Sequence, residues 1–70
     1  MRVHRLQDGR GDLLANSAGQ SLFHYDSAAP SNGVSGYAVG CIWMNYSGTA
    51  GTIFYVNQGT TTSATWINLV

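Results

Sequence analysis

The sequence predicts an all-β fold: a small antiparallel meander of three C-terminal strands, preceded by an extended N-terminal arm of short strands and completed by oligomerisation. Three observations predict it. The strong helix formers Glu and Lys are absent, and nine glycines and a proline break up the windows a helix would need. β-Branched and aromatic runs bounded by Gly/Ser/Thr clusters recur through the second half. Apolar residues also fall on both faces of those runs, where an antiparallel sheet with a solvated side would alternate apolar with polar.

The elements follow in chain order. Residues 1–6 (M-R-V-H-R-L) alternate apolar and basic, as an edge strand does. Residues 8–12 (D-G-R-G-D) form a turn, in which glycines supply positive φ and aspartates bond nearby amides, and Leu13, Leu14 and Ala15 pair back. Residues 20–25 (Q-S-L-F-H-Y) are a further short strand, and residues 26–36 (D-S-A-A-P-S-N-G-V-S-G) a loop of small residues. Residues 1–36 are thus an arm, ordered against a partner.

The meander occupies residues 37–70, the two parts forming one structural unit. Residues 41–46 (C-I-W-M-N-Y) put Ile42, Met44 and Tyr46 on one face and Cys41, Trp43 and Asn45 on the other. A turn at 47–51 (S-G-T-A-G) leads to a strand at 52–58 (T-I-F-Y-V-N-Q), where Ile53, Tyr55 and Asn57 alternate with Phe54, Val56 and Gln58. Gly59 opens a Thr/Ser loop, and residues 65–70 (T-W-I-N-L-V) close the chain as a third strand. Placed together, Trp43, Phe54 and Val56 oppose Ile42, Met44, Ile53 and Tyr55. Each face then needs cover, one from the N-terminal half and the other from a second subunit.

Size and charge narrow the function. At 70 residues, the surface buried on folding and the entropy lost on ordering come near to balance. The lone cysteine, Cys41, forms no intrachain disulfide, and no Cys/His set has zinc spacing, so association is the remaining way to enlarge the core. Three arginines balance three aspartates, and charged residues make up only 9% of the chain. That neutrality argues against nucleic-acid binding and against a polybasic membrane contact. No apolar run is long enough to span a bilayer, and the first residues lack the apolar stretch of a signal peptide.

Individual motifs carry little chemistry. Arg10-Gly11-Asp12 is an adhesive tripeptide when displayed on a loop, but three residues recur by chance. Cys41 near His24 and Asp26 suggests a thiol nucleophile, yet a free cysteine opening an apolar strand behaves as a small buried hydrophobe. His4 and His24 with Asp26 offer metal-ligand atoms without metal-site spacing, and read better as polar strand residues facing solvent. Trp43, Tyr46, Tyr55 and Trp66 read as core and interface packing rather than as a base-stacking platform. No enzyme, cofactor or metal is expected.

One stretch carries a resemblance. Residues 36–43 (G-Y-A-V-G-C-I-W), followed by 48–66 (G-T-A-G-T-I-F-Y-V-N-Q-G-T-T-T-S-A-T-W), resemble a recurrent segment of small tailed-bacteriophage virion proteins of the capsid-decoration, cement or head-fibre type. The resemblance covers residues 36–70 and includes no catalytic signature. It implies a virion protein on the capsid surface, a homotrimer that binds the major capsid protein lattice and stabilises it. The alternative is a head-fibre, tail-fibre or spike component acting in host attachment. On this reading Ile42, Met44, Ile53, Tyr55, Trp66 and Leu69 lie in the core or at the oligomer interface. Arg2, Arg5 and the 26–36 loop, Pro30 included, meet the capsid.

Overall fold

The structure is a computed structural model and describes residues 10–69. The strand expected at residues 1–6, with Arg2, Arg5 and His4, lies outside the described residues, as does the start of the turn expected at 8–12, whose last residues Gly11 and Asp12 instead open a strand. Five strands form one sheet: β1 (Gly11–Ala15), β2 (Ser21–Asp26), β3 (Tyr37–Asn45), β4 (Phe54–Asn57) and β5 (Trp66–Asn68), in that spatial order, with no helix among the described residues. The all-β architecture stands. So does the C-terminal meander, for β3–β4 and β4–β5 are antiparallel.

Local sequence explains the turns. Between β1 and β2, Asn16 Oδ1 accepts from the amides of Ala18 and Gln20, and Gly19 takes φ 82° to close the hairpin. After β4, the chain doubles back so tightly at Gly59 that a Cβ there would sit 2.5 Å from the Ser63 carbonyl oxygen and 2.6 Å from the Thr65 nitrogen. Asn57, fully buried, pins this corner. Its Nδ2 donates toward the carbonyls of Tyr37 (3.2 Å), Ala38 (3.0 Å) and Thr60 (3.3 Å). Its Oδ1 accepts from the amides of Gly59 (2.8 Å) and Thr65 (3.0 Å).

The step from β2 to β3 sets the rest. These neighbours run parallel, so the chain must return over one face of the sheet before β3 can begin. Residues 27–36 make that return, and residues 58–65, between β4 and β5, fold onto the same face. The two segments bond to each other: the Gly33 amide donates to the Ala64 carbonyl (2.8 Å), the Ala64 amide to Val34 (2.9 Å) and the Gly36 amide to Thr61 (2.9 Å). Residues 10–36 are therefore knit into the sheet and its cover within a single chain.

The register corrects one expectation. Ile42 pairs with Val56, Trp43 with Tyr55 and Met44 with Phe54. Directly paired residues share a face, so Phe54 and Val56 lie with Ile42 and Met44, while Tyr55 lies with Trp43. Alternation within each strand was legible, but a one-residue offset between strands exchanges the faces.

Candidate functional site: two faces of one sheet

The covered face holds the core. Cys41, Trp43, Ala64 and Trp66 are buried together, with Val34, Tyr37 and Tyr55 packed against them. Trp43 and Trp66 meet edge to face at 5.4 Å, and Tyr37 packs on both at 5.8 and 5.3 Å. Each indole satisfies its N–H on the crossover, Trp43 Nε1 donating to the Ala28 carbonyl (2.9 Å) and Trp66 Nε1 to that of Ser31 (3.1 Å). The 27–36 loop is thus a roof over the tryptophans, and Pro30 sits half-buried within it.

Beside the tryptophans lies the one ionisable cluster among the described residues. Asp12 pairs with His24 across the β1–β2 hairpin, and His24 with Trp43 across β2–β3. His24 Nδ1 lies 2.7 Å from Asp12 Oδ1, and Nε2 lies 3.4 Å from Asp26 Oδ2. Asp26 Oδ1 accepts from the Ser27 amide at 2.7 Å. The imidazole stacks at 4.2 Å on Trp43 and meets Tyr37 edge-on at 5.6 Å. Far from facing solvent as expected, His24 and Asp26 are each only 8% exposed. The carboxylates and aromatic rings around the imidazole explain that burial.

This geometry holds the imidazole in place between two carboxylates and two aromatic rings. The carboxylates are spent on the imidazole, no concave pocket opens among the described residues, and no three ligand groups there converge on a metal position. Burial, then the negative charge of Asp12, raises the Tyr37 hydroxyl above its ordinary range. Burial likewise pushes the Cys41 thiol up to about 11, only partly offset by its contact with the Ser21 hydroxyl (3.9 Å). A thiol so placed stays protonated near neutral pH, whereas a cysteine nucleophile reacts as the thiolate. Arg10-Gly11-Asp12 is not a displayed turn: Gly11 and Asp12 belong to β1, and the Asp12 carboxylate is engaged by His24.

The opposite face is a different surface. The registers carry one apolar row across the whole sheet, Leu14–Phe23–Ile42–Val56–Ile67, and beside it a second, Tyr25–Met44–Phe54. Leu69, whose amide donates to the Phe54 carbonyl (2.9 Å), and Tyr46, whose ring lies 6.2 Å from that of Tyr25, extend the second row. None of these residues is charged. Neither crossover passes over them, and Phe54, Ile67, Leu69 and Tyr46 are 38–51% exposed.

Of the six residues expected in core or interface, five divide between the faces and the sixth lies at a turn. Tyr55 and Trp66 belong to the roofed core, while Ile42, Met44 and Leu69 belong to the open face. Ile53 is half-buried at the mouth of the β3–β4 turn, its carbonyl accepting from the Asn45 amide (2.7 Å). Sequence reasoning missed Phe23, Val56 and Ile67 as members of one row, because the row exists only once the register is known. Compared with models of known protein families, with curated proteins and with solved structures, the chain matches none.

Proposed function

We propose that this chain is a structural subunit of a tailed-phage virion, a decoration or cement protein that seats on the capsid lattice and stabilises it. The observation that carries the reading is the unfinished burial: one sheet face is roofed by the chain's own loops, while the other is apolar, uncharged and open. Soluble monomers rarely leave so continuous an apolar surface to water, and assembly subunits do. The likeness of residues 36–70 to small virion proteins supplies the kind of assembly. Near-neutral composition suits many copies crowded on one shell, where like charge would repel. On this reading Arg2, Arg5 and the outer side of the 27–36 roof, with Pro30, meet the major capsid protein.

The fibre or spike alternative is less favoured, because Gly11 and Asp12 of the tripeptide that partly motivated it lie in a strand, with the Asp12 carboxylate engaged by His24. Purified particles test the choice. The proposal expects the protein in lattice stoichiometry, and shells that burst at lower temperature when it is missing. A few copies per particle, with host adsorption lost and shell stability unchanged, would overturn it in favour of the alternative.

A further inference from the structure

We infer that the open apolar face is an interface between two copies of this chain, packed face to face as a two-sheet sandwich. Three features of the face select a second copy over another occupant. The first is charge: among the described residues the face carries neither Arg nor Asp, so a two-fold axis through it sets no like charges against each other, and nothing described on it selects a charged partner.

The second is area. The described part of the molecule measures 33 × 26 × 16 Å. The 33 × 26 Å outline bounds that face at roughly 860 Å², an upper limit of the same order as the ~800 Å² per partner of a stable protein interface. The 16 Å depth is that of one sheet and one layer of roof, so the open side is the place where a second sheet fits, at the usual spacing of about 10 Å.

The third is pattern. The Leu14–Phe23–Ile42–Val56–Ile67 row crosses every strand, so a second copy lying across it meets an apolar residue from each strand. Its centre, Ile42 and Val56, is half-buried by neighbours already, and its exposed end Ile67, with Phe54 and Leu69 of the second row, flanks that centre. That layout, a packed middle with accessible apolar flanks, is the inner face of a sandwich awaiting its mate. Each copy then turns its roof outward, leaving residues 27–36 free to meet a lattice. The inference concerns self-association alone: it replaces the homotrimer that the resemblance implies with a two-fold pair, and leaves the capsid-surface reading to its own test.

Native mass measurement of the full chain, from low to high micromolar concentration, tests it. The wild type is expected to be a dimer. Ile67→Lys and Leu69→Lys alter side chains already exposed in the single chain, so each should leave the circular dichroism of the fold unchanged while weakening the dimer about 100-fold. Thr62→Lys, on the roof side, should leave the dimer intact. A wild-type monomer across the range would overturn the inference, whether the face stays bare or is covered by residues 1–9. So would a trimer, or a dimer indifferent to both interface substitutions.

Discussion

Asn57 shows how much a single side chain settles in a chain this small. It joins the start of β3, the end of β4 and the 58–65 loop through one buried amide, and replacing it with Ala orphans several backbone groups at once. Asn57→Ala should lower unfolding free energy by about 2–4 kcal/mol in a denaturant titration, since buried unpaired groups cost more than the bond they lose. His24 makes a second test. A double-mutant cycle on Asp12 and His24 should return a coupling of at least about 1 kcal/mol, as expected of a hydrogen-bonded pair at a buried imidazole, and a coupling near zero would contradict the geometry. Cys41 gives a pH dependence. Folding holds its thiol proton up to about 11 against an ordinary 9.0, so between those values the unfolded chain loses the proton first. Its contribution to stability is complete below pH 9 and declines as pH rises toward 11. Subtracting the stability-against-pH curve of Cys41→Ala from that of the wild type should reveal this alkaline decline, and parallel curves would contradict it.

At the scale of elements, the corner at Gly59 is dictated by space and the roof by topology. Gly59→Ala drives a Cβ into two backbone atoms and should cost more than about 2 kcal/mol, well beyond the ~1 kcal/mol of Gly33→Ala, where φ is positive but the space is open. Thermal melts of the two variants make the comparison, and equal losses would mean that the loop yields. The strands of the meander were legible because Ile42, Trp43, Met44, Phe54, Tyr55 and Val56 alternate cleanly between turn clusters. Their cross-strand register was not, for nothing within a strand states which residue of its neighbour it faces, and the faces of β4 were accordingly exchanged. Nor was the parallel β2–β3 pairing legible. The small-residue stretch at 26–36 read as a loose loop, and only Val34, its one large aliphatic residue, hinted that the loop packs on a core. The Asp12–His24 pair shared that fate, since it depends on hairpin register rather than on spacing along the chain.

For the whole molecule, the consequence of one parallel step is asymmetry. A chain that crosses back over one face roofs that face, and among the described residues nothing crosses the other, which holds two apolar rows and no charge. The buried hydrophobic set is small, two tryptophans with alanines and a cysteine, so the open rows represent burial that the single chain has not completed. On the face-to-face pairing inferred above, association supplies it. The most direct measurement mixes isotope-labelled with unlabelled protein and records nuclear Overhauser contacts between different copies. The account predicts contacts linking Ile42, Val56, Phe54 and Ile67 of one copy to the same rows of the other, with none from the tryptophan roof. Intercopy contacts confined to the roof, or absent at concentrations well above the micromolar range, would contradict it.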